Sequence, residues 1–76
     1  MAKVRSGKHR HFKGKLYEVL GTARHSETLE EFVVYRALYE SKDFGPNALW
    51  IRPLKMFTER VEVDGKAVPR FEYIGG

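Results

Sequence analysis

His25, Ser26 and Glu27 are adjacent in the chain and are the residue types of a hydrolytic triad. A triad needs nucleophile, base and orienter in one hydrogen-bonded line. Three consecutive residues rarely converge that way, and no strained nucleophile turn accompanies them. The plainer expectation is a polar loop in which the Ser26 and Thr28 hydroxyls satisfy backbone amides while His25 bonds locally. Such a loop still suits one wall of a small-molecule or peptide site. His9 and His11, two residues apart, would need His25 to complete a zinc site. Zinc wants three or four ligands on an ordered frame, and these three do not share one. No metal or other cofactor is expected.

Arginine and aromatic residues form a second constellation. Arg24, Arg36, Arg52 and Arg70 interleave with Tyr17, Tyr35, Tyr39, Trp50 and Tyr73. Guanidinium forks beside exposed rings are what single-stranded nucleic acid binding uses, through phosphate contact and base stacking. Glu18, Glu31, Glu62 and Glu72 lie in the same segments and would pair those charges across a sheet. Trp50, next to Arg52-Pro53, suits a peptide-binding ring, although the single tryptophan of a small domain is more often its largest core residue. Gly75-Gly76 ends the chain as ubiquitin-like modifiers and sulfur carriers end. That reading needs a helix, which a capping box from Thr28 to Glu31 would start.

The elements that must position these residues are short. Leu16 to Arg24 alternates as a strand, with a bulge or bend expected at Gly21. Residues 32–39 carry Phe32-Val33-Val34-Tyr35, a β-branched and aromatic block that predicts a strand over the competing helix. Gly45-Pro46-Asn47 marks a turn. Leu49 to Arg52 is a strand stopped by Pro53, and residues 54–58 suggest one helical turn. Asp64-Gly65 between two apolar runs predicts a type I′ hairpin, because both central positions need positive φ. A last strand covers residues 70–74.

Seventy-six residues, 42% hydrophobic and 13% aromatic, suffice for one small core. There is no cysteine, which removes disulfides, thiolate nucleophiles and cysteine-bound zinc together. With no apolar run near the roughly 20 residues of a membrane span and no signal-like N-terminus, a cytoplasmic protein without a membrane partner is expected. The net charge of +4 is unevenly placed. Six of the fourteen basic residues fall in residues 1–15 with no acid, leaving eight basic against ten acidic in the rest. The organisation expected is a flexible basic arm over 1–11, one β domain over 12–74 and a tail at 75–76.

HFKG at 11–14, YEVLGTARHSETLE at 17–30, VVYRALY at 33–39, WIRPLKMF at 50–57 and VPRF at 68–71 occur in that order. Together they resemble a family of small bacterial proteins catalogued only as a domain of unknown function. The resemblance implies a compact SH3-like barrel or roll, with HSETLE opening a loop and VVYRALY forming a strand. It implies no activity, substrate or catalytic residue.

The fold expected is therefore mainly β, a small SH3-like barrel or roll of about five strands with one short helical turn. The function expected is a non-catalytic binding module for an unidentified protein or peptide, with His25, Ser26, Glu27, Arg36, Trp50, Arg52 and Arg70 as candidate binding residues. Single-stranded nucleic acid binding through the arm and the arginine-bearing strands is one alternative; a diglycine-ended carrier is the other. No oligomeric state is implied.

Overall fold

The structure, a computed structural model, describes residues 4–75. Nine strands and one helical turn follow in order: β1 (Gly7–His11), β2 (Leu16–Arg24), β3 (Glu31–Ala37), β4 (Glu40–Ser41), β5 (Gly45–Pro46), β6 (Leu49–Pro53), α1 (Leu54–Phe57), β7 (Arg60–Val63), β8 (Lys66–Pro69) and β9 (Phe71–Gly75). Five of them form one antiparallel sheet in the order β6-β3-β2-β1-β9. β4 pairs with β5 and β7 with β8 as separate two-stranded ladders. The chain is mainly β, as its strand patterns predict. Among the described residues the main sheet does not close into a barrel; β6 and β9 are its two edges. No helix among them is long and apolar enough to cross a membrane.

Local chemistry explains most of the elements. In β3, Val33, Tyr35 and Ala37 point into the core while Val34 and Arg36 point away, the period-2 alternation of a half-buried strand. The register of β2 against β3 shifts between Val19 and Gly21, which is the bulge expected there. Asp64 (φ 52°) and Gly65 (φ 80°) both take positive φ in the β7–β8 hairpin, as a type I′ turn requires. After Pro53 the chain makes its single helical turn. Thr58 ends it, donating through both its amide and its hydroxyl to the Leu54 carbonyl at 3.1 and 2.9 Å.

Thr28 caps no helix. Its hydroxyl accepts from the Glu30 amide at 3.2 Å, and β3 begins at Glu31. Backbone bonds from the His25 amide to the Glu30 carbonyl and from the Leu29 amide to the His25 carbonyl, both 2.8 Å, close the β2–β3 connection as a tight loop. Leu29 takes a positive φ of 65° within it.

One boundary is corrected. Residues 7–11 are not part of an arm; they form β1, flanked by β2 and β9 in the main sheet. His9 occupies the inward position and is 4% exposed, with its ring edge-on to Phe57 and Tyr73. The strand is polar by residue type but buries a ring where an apolar residue would sit, so hydrophobic alternation does not mark it. The core it joins consists of Val19, Val33, Tyr35, Phe57 and Phe71. Phe57, from α1, stacks on Phe71 at 4.1 Å, so the helical turn covers the inner face of the sheet.

Candidate aromatic and arginine cleft

Strand register assembles the candidate site. Tyr17 lies opposite Ala37, Val19 opposite Tyr35, Tyr35 opposite Trp50, and Val33 opposite Arg52. Directly opposed residues share a face, so Tyr17, Tyr35, Trp50 and Arg52 all project from the inner face. With Tyr39, just beyond the end of β3, they line a cleft of about 170 Å³. The Tyr17 and Tyr39 hydroxyls are hydrogen-bonded at 2.7 Å, and the Tyr17 ring meets Tyr35 and Tyr39 edge-on at 5.3 and 5.5 Å. Burial, then the hydrogen bond to Tyr39, pushes the Tyr17 phenol well above its ordinary pKa. The Tyr17 hydroxyl therefore stays neutral at physiological pH and can donate or accept in that bond.

Arg52 is the charged wall. Its Nε donates a long 3.4 Å bond to the Tyr35 hydroxyl, and its guanidinium lies 5.7 Å from the Phe71 ring centre. Among the described residues it has no carboxylate partner: the ion pairs there join Arg24 to Glu31, Arg36 to Glu18 and Arg70 to Glu59. Lys15 adds a second cation, with its ammonium 4.4 Å above the Tyr39 ring. Phe44 extends the aromatic rim, edge-on to Trp50 at 5.2 Å. The His11 imidazole is held below its ordinary pKa of 6.5 first by burial, then by Arg52, Arg70 and Lys13. An anion entering here would replace the counter-charge that Arg52 lacks.

The residues singled out from the sequence separate into four places. Trp50 and Arg52 line the cleft. Arg70 lies near enough to affect His11, but Glu59 holds it at 3.1 Å. Arg36 projects from the opposite face, where it pairs with Glu18. His25, Ser26 and Glu27 stand exposed in the β2–β3 loop. There the His25 Nδ1 accepts from the Glu27 and Thr28 amides at 3.1 and 3.2 Å. An imidazole nitrogen used that way builds a turn and is not free to take a proton from a hydroxyl. His9 directs Nδ1 at the Gly7 carbonyl, 3.1 Å away, inside the core. Among the described residues no three His, Cys, Asp or Glu side chains gather as a metal site would need.

Lys15 was not legible as a site residue, because the turn between β1 and β2 delivers it. Tyr39 was legible only as one ring in a series. A larger groove of about 380 Å³ runs beside β1 and β9. There Arg10 has a carboxylate-bearing residue, Glu72, directly opposite in register.

The family described as protein of unknown function (DUF1653) matches residues 7–73. The crystal structure of a DUF1653 protein from Bordetella bronchiseptica is similar over 95% of this chain and 88% of that one, with 39% identity and a TM-score of 0.84. No curated protein matches. The chain belongs to the DUF1653 family, in keeping with its resemblance to a family known only as a domain of unknown function.

Proposed function

We propose, for a member of a family that brings no assigned activity with it, a non-catalytic binding module whose ligand is an anion carrying a flat ring. The observation that carries this reading is Arg52, a cation with no carboxylate partner among the described residues, set in a wall of four aromatic rings. Charge-assisted hydrogen bonds from a guanidinium are among the stronger polar contacts a protein makes, and the rings supply stacking area beside it. The cleft is small against the usual 300–1,000 Å³ or so of a drug-sized pocket, which suits one ring and not an elongated substrate. The five-stranded sheet with its short flanking ladders fits an SH3-like roll, and absent cysteine fits the cytoplasm. The carrier reading has less support, because the segment it would use as a helix is β3; Gly76 itself lies outside the described residues.

Phenyl phosphate is the minimal probe, a ring and an anion in one molecule. A ligand that binds only the folded state raises the unfolding temperature with its concentration. The native chain should gain thermal stability with phenyl phosphate at fixed ionic strength, and the Arg52→Gln variant should gain little. Equal gains in both proteins, or none in either, contradict the reading.

A further inference from the structure

The cleft's composition goes further than its charge. Four rings of the Tyr and Trp type would, on their own, suit a quaternary ammonium held by cation–π attraction. Arg52 in the wall and Lys15 over Tyr39 make that occupant unfavourable, because like charges would meet in a partly desolvated space. A simple aromatic anion satisfies the charge but leaves the Tyr17–Tyr39 hydroxyl pair, 2.7 Å apart, with no polar ring edge to address. A nucleobase has such an edge. It also has a π-face for Trp50 and a phosphate within a few bonds.

Outside the cleft the pairing of cations with rings continues. Lys13 lies 5.9 Å from the Phe12 ring centre, on the same β1–β2 turn that carries Lys15, and Arg5 lies 4.5 Å from that of Tyr73. Cations beside rings are the pairing that single-strand binding uses, because each base is followed by a phosphate.

Building on the anion-binding reading above, we infer that the cleft takes a nucleotide unit, its base against Trp50 and its phosphate on Arg52. The unit comes either from a free nucleotide or from a single strand.

Trp50 is the single tryptophan of the chain, so its fluorescence reports this cleft alone. The native protein is titrated with uridine 5′-monophosphate, uridine, inorganic phosphate, octauridylate and trimethyl-lysine. Saturable quenching by the monophosphate is expected, at least about tenfold tighter than by uridine or by phosphate, as a charge-assisted contact beside a stacked ring implies. Arg52→Gln should erase that advantage, while Arg24→Gln, the same charge change in the β2–β3 loop region, should keep it. Octauridylate tighter than the monophosphate assigns the unit to a strand; equal affinities assign it to a free nucleotide. Uridine binding as tightly as its monophosphate, or trimethyl-lysine binding best, overturns the inference. Stabilisation by phenyl phosphate without any response to nucleotides also overturns it, and in that case the broader anion-binding reading stands.

Discussion

Arg36 and Arg52 lie on neighbouring strands of one sheet and have opposite fates. Arg36, on the outer face, has Glu18 directly across from it on β2 and forms an ion pair with that carboxylate. Arg52, on the inner face, has Val33 across from it and rings around it. The two faces differ in the same sense. The outer one leaves Leu49 and Ile51 exposed at 66% and 62% and balances its charge; the inner one packs its apolar groups under α1 and leaves a charge unbalanced. Residue type alone does not separate a paired arginine from an unpaired one. For Arg36 and Arg52 the residue opposite in register does.

The largest expected effect comes from uncovering the inner face. Phe57→Ala removes the ring through which α1 covers the sheet, at a cost of about 3–5 kcal/mol. A domain this small has roughly 3–5 kcal/mol in total. Urea titration followed by circular dichroism should show little or no cooperative transition for that variant. Ile51→Ala on the outer face should stay within about 0.5 kcal/mol of the native chain, as exposed substitutions do. A comparable loss at Ile51 would mean that the outer face is covered in solution.

Acid should also act through the inner face. His9 is held below its ordinary pKa of 6.5 mainly by burial, partly offset by its bond to the Gly7 carbonyl, and His11 by burial and its neighbouring cations. A depressed folded-state pKa means that the unfolded chain takes up protons first. The stability these rings contribute is complete above about pH 6.5 and is lost as pH falls through the lower folded-state values. Unfolding free energy measured from pH 7.5 to 5 should therefore decline, and His9→Phe, which keeps a ring in the core, should flatten the decline. An unchanged slope would remove His9 from the account.

Much of the fold follows from short-range signals. The β-branched run at Val33-Val34-Tyr35, the breaker at Pro53 and the Asp64-Gly65 turn each impose their conformation within a few residues. β1 does not announce itself, because its inward positions hold Gly7, His9 and His11, and a histidine reads as polar until its ring is seen edge-on to Phe57. The site was legible in part. Trp50 and Arg52 stand out as a pair, but Tyr17 and Tyr39 are 22 residues apart and meet only through the β2–β3 register. Arg36 looked equal to Arg52 because nothing in a single strand says that Glu18 will lie across from it.

A modest expected effect sharpens the comparison from the outer side. Arg36→Gln removes a partly exposed ion pair, and such pairs are worth about 0.2–1 kcal/mol. Urea titration should register that modest loss, and calorimetry should find phenyl phosphate binding unchanged. Arg52→Gln should show the reverse pattern, with stability kept and binding lost. Matching patterns for the two variants would erase the distinction between the faces.

The most direct measurement places both arginines in one spectrum. In a ¹H–¹⁵N correlation experiment resolving the guanidinium Nε–H groups, phenyl phosphate should move the Arg52 signal and the Trp50 indole signal together, leaving Arg36 in place. A spectrum in which Arg36 moves as far as Arg52, or in which neither moves, would contradict the claim that the unpaired inner-face arginine is the binding group.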